Sequence, residues 1–276
     1  IPVCPSARGS VQVITLRDIA ITFNKGTPLE MQALRGISFA VPQGQFVTMI
    51  GSNGAGKSTL LNILAGELLP DIGSILVDED DVTDKPIHAR ASKIARLFQD
   101  PRAGICEDMS ILENIAIASG RTLPRGFAFA ITSDIRDKAV ERLSMLGLGL
   151  EKRLNDRVSL LSGGQRQALS LIMATFGSAK VLLLDEHTAA LDPGAAELVM
   201  RLTDEVVSEF GITTVMVTHS MRQALDFGSR TIMLHQGRIM LDINAEERRS
   251  MDVEDLVQLF RRKEGKDLSD DQLLLG

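Results

Sequence analysis

A glycine-rich segment that ends in lysine, serine and threonine has the residue types and spacing needed to bind phosphate. It fits the pattern G-x-x-x-x-G-K-[ST], in which successive backbone N–H groups point at phosphate oxygens. The segment consists of Gly51, Ser52, Asn53, Gly54, Ala55, Gly56, Lys57, Ser58 and Thr59. We expect Lys57 to add positive charge near the β- and γ-phosphates, and Ser58 to offer its hydroxyl to Mg²⁺. The segment therefore predicts a site for a nucleoside triphosphate.

The residues on either side of this loop predict the elements that must position it. Residues 46–50 form a short apolar run, which is typical of a buried strand. After the loop, Leu60, Leu61, Ile63 and Leu64 fall on one side of a helix. The N-terminus of that helix would direct its partial positive charge at the phosphates. A glycine-rich turn with a chance lysine does not account for this arrangement.

A second pair of glycines stands at the start of another predicted helix. Ser162 is a suitable N-cap residue, and Gly163 and Gly164 leave backbone N–H groups accessible to an anion. Gln165 follows, and an apolar helical pattern continues from Ala168. By itself the segment could also be an ordinary capped helix start.

Two adjacent carboxylates end a third segment. Residues 181–184 are all aliphatic, as expected of a central parallel strand, and Asp185 and Glu186 follow them. Ligands in open α/β sheets bind at the carboxyl ends of such strands. Asp185 is suited to holding Mg²⁺ together with Ser58, and Glu186 to accepting a proton from the attacking water. A polar cap on the sheet is the alternative interpretation.

In this order the motifs resemble those of the ATPase subunits of ATP-binding-cassette (ABC) transporters. The resemblance covers residues 11–243 and includes Gln99 as the Q-loop, Asp192 in the D-loop and His219 as the switch histidine. The segments around Gln99 and Glu186 and the acidic C-terminal tail look most like a group of bacterial importer ATPases. Some members of that group are associated with aromatic amino-acid uptake.

The resemblance implies roles for the remaining site residues. It implies that Gln99 reaches Mg²⁺ or the attacking water and that His219 donates to the γ-phosphate. Adenine needs a stacking platform, and Phe23 stands where the family commonly places an aromatic residue, in a chain without Tyr or Trp. A core position is the alternative for Phe23. The implied cofactors are ATP and Mg²⁺.

The family resemblance also implies an assembly. Ser162, Gly163, Gly164 and Gln165 would contact the γ-phosphate bound by a second subunit, which makes the enzyme a head-to-tail homodimer. An importer would add two integral-membrane permease subunits and an extracytoplasmic substrate-binding protein. The expected location is the cytoplasmic face of the inner (plasma) membrane, as a peripheral subunit.

Two other function classes share the ATPase motifs. One is the ATPase of an exporter or of a lipoprotein-extraction complex, which only the helical subdomain and neighbouring genes would distinguish. The other is an ABC ATPase without a transport role, acting in DNA repair or on ribosomes. Those relatives carry zinc-binding cysteines, long coiled coils or tandem cassettes, and none of these is found in this sequence.

One position departs from the family pattern. The residue after the catalytic glutamate is usually proline, and here it is His187. His187 restores a backbone N–H and places a titratable ring beside Glu186. It is either a tolerated substitution in a turn or a group that makes activity depend on pH.

Composition and charge restrict the possible partners and the cellular compartment. The net charge of −6 disfavours a nucleic-acid partner, and the chain has only two cysteines, Cys4 and Cys106, which suits a reducing cytosol. We find no apolar run of about 18 residues that could span a bilayer.

The expected fold class is α/β, with a P-loop core, a mixed sheet, an N-terminal antiparallel β subdomain and an inserted α-helical subdomain. Residues 1–10 are expected to be a disordered leader and residues 11–243 the ATPase domain. The helical subdomain is expected at about residues 103–156, interrupted by a surface loop at 121–126, and a helical tail at 244–276. The acidic run at residues 78–81 is expected to be a solvated turn.

Overall fold

The structure is a computed structural model that describes residues 11–120 and 131–264. The strands in this part of the chain are β1 (Gln12–Phe23), β2 (Met31–Pro42), β3 (Phe46–Ile50), β4 (Ile72–Val77), β5 (Asp80–Asp81), β6 (Ile94–Leu97), β7 (Val181–Asp185), β8 (Thr213–Val217), β9 (Arg230–His235) and β10 (Arg238–Ile243). The helices are α1 (Lys57–Ala65), α2 (Ile87–Arg90), α3 (Ile111–Ser119), α4 (Ser133–Met145), α5 (Gly163–Thr175), α6 (Pro193–Phe210), α7 (Met221–Asp226), α8 (Ala245–Arg248) and α9 (Val253–Glu264). The expectations for the leader, for the surface loop at 121–126 and for the last residues of the tail lie outside the described residues.

The chain divides into two compact units. The first consists of Ile1–Arg90 together with Gly211–Gly276, and the second of Ala91–Phe210. The glycine-rich loop and His219 belong to the first unit, whereas Asp185 and Glu186 belong to the second. The domain boundaries expected from the sequence remain predictions.

An antiparallel sheet forms part of the first unit. Its strand order is β2-β1-β4-β5, with β1 paired to both β2 and β4. β2 starts at Met31, opposite Phe23 at the end of β1, and continues to Pro42. The N-terminal antiparallel β subdomain is thus confirmed.

The prediction of a solvated turn at residues 78–81 was only partly correct. Asp80 and Asp81 form the short strand β5, which pairs with β4, so only Asp78 and Glu79 make the turn. These two residues have φ values of 55° and 68°. Two positive φ angles in succession give the turn that best matches the twist of a two-residue hairpin, and aspartate tolerates this conformation. Charge alone did not reveal the pairing.

A second set of strands in the first unit holds the phosphate-binding loop. β3 lies between β8 and β9 and is parallel to both, while β10 is antiparallel to β9. Every residue of β3 and of β8 is buried, which explains why both read as continuous apolar or threonine-containing runs. The expected mixed sheet is confirmed.

The second unit pairs β6 with β7 in parallel and packs helices against one another. The contacts join α5 with α3, α4 and α6. α5 carries a nearly continuous set of buried residues from Gln167 to Thr175. Ile111, Ile115 and Ala118, which fall on one face of α3, are buried.

Apolar spacing alone does not give the buried face of α6. In the sequence, the apolar residues on one side of this helix are Leu198, Leu202, Val206 and Phe210. The structure buries Leu202 and Val206 but leaves Leu198 and Phe210 only partly buried. The buried side of the helix is wider and rotated, and consists of Val199, Met200, Leu202, Thr203, Val206 and Val207. This face includes the polar residue Thr203, which is fully buried, so apolar spacing alone does not indicate it.

The amphipathic helix expected near the end of the chain is α9. Leu256 and Phe260 are buried in a cluster that also contains Ile50, the last residue of β3. The Phe260 ring packs edge-on against His235, with ring centres 5.4 Å apart. Within the described ranges, no helix combines the length and the low polarity that a bilayer span requires.

Candidate functional site

The glycine-rich loop joins β3 to α1 in a conformation that needs its glycines. Gly51 and Gly56 have φ angles of 152° and 101°. A Cβ at Gly51 would overlap the carbonyl oxygen of Leu234, and one at Gly56 would lie 2.6 Å from the Leu34 side chain. No side chain caps the N-terminus of α1 at Gly56. The first N–H groups of this helix are therefore oriented as in sites for anions.

Lys57 holds its charge inside the loop. The side chain is buried, and Nζ donates to the carbonyl oxygens of Gly51, at 2.6 Å, and Ser52, at 3.2 Å. Ser58, next in sequence, is exposed and can offer its hydroxyl to a ligand. The sequence predicted that a cation and a hydroxyl end this loop, and the structure places Lys57 and Ser58 in the first turn of α1.

Phe23 and His219 belong to the same unit as this loop. Phe23 ends β1 and is half-buried, so its ring is not one of the buried core residues. His219 follows β8 and is exposed. The backbone N–H of Thr218 donates to Met49 of β3 at 3.1 Å, and the Thr218 hydroxyl donates to Gln223. The first bond anchors the segment before His219 to the strand that leads into the loop, and the second ties it to α7.

Asp185 and Glu186 have different surroundings at the end of β7. Asp185 Oδ2 accepts a hydrogen bond of 2.6 Å from Arg96 Nη2, in an ion pair whose side chains are 18% and 11% exposed. Glu186 has a φ angle of 47°. A positive φ is uncommon in a residue that carries a side chain, although the turn at Asp78 and Glu79 shares it. The backbone conformation thus distinguishes Glu186 from its neighbour Asp185.

The segment at residues 162–165 starts α5 with a capping box. The Ser162 hydroxyl accepts from the Gln165 N–H at 3.2 Å, and the Gln165 side chain accepts from the Ser162 N–H at 3.1 Å. A Cβ at Gly163 would lie 3.3 Å from Leu191, and one at Gly164 would lie 3.2 Å from Ala195. The glycines therefore let α5 start close to the residues that begin α6.

Asp192 and Gln99 complete the predicted set. Asp192 Oδ1 accepts from the N–H of Ala195 at 3.0 Å, which caps the start of α6. Gln99 is exposed directly after β6. Just before it, the carbonyl of Phe98 accepts from Gln167 Nε2 at 3.3 Å. Gln167 lies on α5 and is fully buried.

His187 lies inside the second unit. Its side chain is 1% exposed, and Nε2 lies 3.1 Å from the hydroxyl of Thr203. The Thr203 hydroxyl donates to the carbonyl of Val199 at 2.8 Å, so the ring N–H is the donor between His187 and Thr203. Burial lowers the pKa of His187 to about 4. The ring is therefore neutral at pH 7, which favours the structural interpretation over a group that titrates near neutrality.

Two residues of this region were missed by the sequence analysis: Arg96 and Gln167. Each is a polar residue inside an otherwise apolar strand or helix face, and this was the only available signal. The ion pair of Arg96 joins residues 89 positions apart, and periodicity carries no information about such a pair.

The oxygen-bearing side chains fit Mg²⁺. The hydroxyl of Ser58, the carboxylate of Asp185 and the amide of Gln99 are hard oxygen donors of the kind that Mg²⁺ prefers. Among the described residues, no group of three or more His, Cys, Asp or Glu side chains forms a protein-only metal cage. Mg²⁺ typically uses one or two protein oxygens together with phosphates and waters, and each of these side chains offers an oxygen of that kind.

Comparison with known proteins decides the family. The sequence model of the family described as ABC transporter matches residues 34–189. This chain belongs to the ABC transporter family. It is accordingly an ATPase subunit that couples ATP hydrolysis to transport across a membrane.

Individual relatives agree with this assignment. The chain is 44% identical to a tyrosine transport ATP-binding protein of Clostridioides difficile, over 81% of this chain and 89% of the relative. It is 37% identical to a sulfate/thiosulfate import ATP-binding protein of Xylella fastidiosa, over 76% of this chain and 58% of the relative.

A solved ABC cassette shares the fold. That structure is a dimer in a post-hydrolysis state bound to ADP and Pi. It is 28% identical, covers 84% of this chain and 98% of its own, and superposes with a TM-score of 0.70. The α/β fold with its antiparallel and mixed sheets is the one found in ABC cassettes.

Proposed function

We propose that ATP binds with its phosphates in the loop of residues 51–59 and that Glu186 orients and deprotonates the attacking water. The observation that carries this assignment is the difference between two adjacent carboxylates. Asp185 is held in an ion pair with Arg96, and Glu186 adopts a left-handed backbone conformation. Two carboxylates with separate tasks, one for a metal and one for a proton, need different surroundings.

We assign the remaining site residues to binding the adenine ring, the γ-phosphate and the metal. We assign adenine stacking to Phe23 and contact with the γ-phosphate to His219. Ser58, Gln99 and Asp185 would hold Mg²⁺, which neutralises charge on the β- and γ-phosphates when it is bound. Ser162, Gly163, Gly164, Gln165 and Asp192 would complete the site of a second copy of the chain in a homodimer.

The transport role is proposed to be import of a small molecule, with an amino acid as the leading substrate class. The name of the Xylella fastidiosa relative contains sulfate/thiosulfate import, which supports import. The name of the Clostridioides difficile relative contains tyrosine transport, which supports an amino acid as the substrate class. The partners would be two permease subunits and an extracytoplasmic substrate-binding protein, with this subunit at the cytoplasmic face of the membrane.

The Glu186→Gln variant tests the catalytic assignment. The amide keeps the size of the side chain but cannot accept a proton, so the ATPase rate should fall about 100-fold or more. ATP-bound dimers should accumulate and be visible by size-exclusion chromatography. Glu205→Gln, which changes an exposed glutamate on α6, is the matched control and should keep the wild-type rate. A wild-type rate in purified Glu186→Gln would refute the role of Glu186.

The same variant tests the substrate class. With Glu186→Gln in the chromosomal gene of the source organism, uptake of radiolabelled tyrosine should fall while uptake of radiolabelled sulfate stays unchanged. A fall in sulfate uptake alone would move the assignment to another importer. No change in any uptake, combined with loss of ATPase in vitro, would contradict the import proposal.

A further inference from the structure

Arg96 stands where the strand β6 runs beside the carboxylate that we assign to Mg²⁺. In the parallel pair of β6 and β7, Arg96 lies opposite Leu183, and Asp185 follows two residues later on the same face of β7. The guanidinium extends along the strand and reaches Asp185 Oδ2 at 2.6 Å. Both side chains are largely shielded from water, with 11% and 18% exposure. The pair is short, charge-assisted and hard to rearrange.

Neighbouring groups fix the guanidinium in this position. Its carbon atom lies 5.0 Å from the centre of the Phe98 ring, close enough for a cation–π contact. Phe98 in turn is held through its carbonyl oxygen by the buried side chain of Gln167. The segment from Arg96 to Phe98 is thus tied to β7 and to α5, and Gln99 follows immediately.

The ion pair with Arg96 uses one of the two carboxylate oxygens of Asp185. Arg96 uses Oδ2, so Oδ1 is the oxygen of Asp185 that can face a metal or its water. A carboxylate that binds a metal is usually oriented by a partner of this kind, and loss of the partner typically costs 10–100-fold in metal affinity or activity.

We propose that Arg96 is a positioning residue for Mg²⁺, acting through Asp185. The inference rests on the proposed function, since it takes Asp185 as the metal-holding carboxylate. Arg96 fixes the orientation of Asp185 and keeps one oxygen for the metal. In this role it acts on the carboxylate rather than on ATP.

Two effects of Arg96 on metal binding oppose each other. A nearby cation repels Mg²⁺ and would weaken metal binding. Orientation of the carboxylate strengthens it. We expect orientation to prevail, because the guanidinium charge is engaged with Asp185 Oδ2 and is spread over three nitrogens. Removal of Arg96 should therefore weaken metal binding.

The test compares nucleotide affinity with and without metal. The probe is AMP-PNP, a nonhydrolysable ATP analogue, titrated by calorimetry in EDTA and in saturating Mg²⁺. The ratio of the two dissociation constants is the metal-dependent gain in affinity. In Arg96→Met this gain should fall about 10-fold or more, while the dissociation constant in EDTA stays at the wild-type value. A purely structural role would change both constants together.

A double-mutant cycle tests whether Arg96 acts through Asp185. In the Asp185→Asn background, Arg96→Met should cause no further loss of the metal-dependent gain. Arg153→Met is the matched control, because Arg153 forms a comparable pair of 2.7 Å with Asp156 in the same unit. It should keep the wild-type gain.

The outcomes separate the two proposals. If Asp185→Asn leaves the gain intact, the assignment of Mg²⁺ to Asp185 fails. If Asp185→Asn lowers the gain but Arg96→Met keeps or raises it, only the role of Arg96 fails. Should Arg96→Met not fold, Arg96→Lys replaces it, since lysine keeps the charge but not the guanidinium geometry. A full wild-type gain in folded Arg96→Lys would then overturn the positioning role.

Discussion

Asp185, Glu186 and His187 follow one another at the end of β7, and each has a different environment. Asp185 is paired with Arg96, Glu186 has a left-handed backbone, and His187 is buried with its pKa lowered to about 4. Side-chain chemistry at this strand end is therefore set by what each residue touches. Because His187 is neutral at pH 7 and inside the unit, its contribution is to packing and to the bond with Thr203.

The buried His187 should make stability depend on pH below neutrality. An exposed histidine in the unfolded chain has an ordinary pKa of 6.5, and burial lowers the folded value to about 4. The unfolded chain therefore binds the proton first as the pH falls. The contribution is complete above pH 6.5, is lost between pH 6.5 and about 4, and amounts to about 3 kcal/mol over that range.

Urea unfolding at a series of pH values measures this effect. His187→Gln keeps a donor near the position of Nε2 but cannot titrate, so its free energy of unfolding should fall less steeply from pH 6.5 to 4 than that of the wild type. Carboxylates affect both proteins equally, and the difference between the two curves isolates the histidine. Parallel curves over this range would show that His187 is not buried in the neutral form.

At the scale of elements, three helices in the described part of the chain have C-terminal carbonyls that accept hydrogen bonds from arginines of other segments. α1 follows the phosphate-binding loop, α5 starts at Gly163, and α7 starts two residues after His219. Arg90 donates to the last turn of α1, Arg142 to the last residue of α5, and Arg248 to the C-terminal end of α7. Cations at helix C-termini satisfy carbonyls without partners and complement the helix dipole. The arginines thus stabilise helices whose other ends carry the predicted phosphate contacts.

Arg90 offers the sharpest test of this arrangement. It is 1% exposed and donates to the carbonyls of Ile63, Leu64, Thr83 and Lys85 at 2.6–2.9 Å. Burial lowers the pKa of Arg90, and it remains charged at neutral pH. Arg90→Met removes this donor from all four carbonyls, of which Ile63 still accepts from the N–H of Gly66, and we expect a loss of about 3 kcal/mol in the free energy of unfolding.

The measurement is chemical denaturation at pH 7. Arg222→Met is the control, because Arg222 is 79% exposed and forms only a surface pair with Asp226. That change should cost no more than about 1 kcal/mol. Equal stability of Arg90→Met and the wild type would contradict the capping role.

The sequence predicted the elements well where one physical signal dominated. The bounds of β3 and β7 follow from runs that are almost entirely apolar, and the N-cap role of Ser162 follows from local residue types. Other features depend on distant contacts. Arg96 meets Asp185 only because β6 and β7 pair, and the buried hydroxyl of Thr203 is paired with His187, 16 residues away. Local pattern contains neither of these facts.

At the scale of the whole molecule, each compact unit carries part of the family's motif set. The first unit contains the loop around Lys57, Phe23 and His219, and the second contains Gly163 and Glu186. The related cassette described above is a dimer bound to ADP and Pi. This supports our proposal that two copies of the chain assemble head to tail, each completing the site of the other.

Mixing two inactive variants tests this central proposal most directly. Lys57→Ala removes the charge near the phosphates, and Gly163→Asp places a carboxylate where the partner's γ-phosphate would lie. Gly163→Ala is the control for crowding, because any Cβ at this position lies 3.3 Å from Leu191. Lys57→Ala and Gly163→Asp should each be inactive alone, and Gly163→Asp should still bind ATP.

In a heterodimer of Lys57→Ala and Gly163→Asp, both changes fall on one composite site and the other site is intact. We measure the ATPase rate of the mixture, with heterodimer formation verified by native mass spectrometry. The account predicts that ATPase activity returns in part on mixing. An inactive mixture that contains heterodimers, or full activity of Gly163→Asp alone, would contradict it.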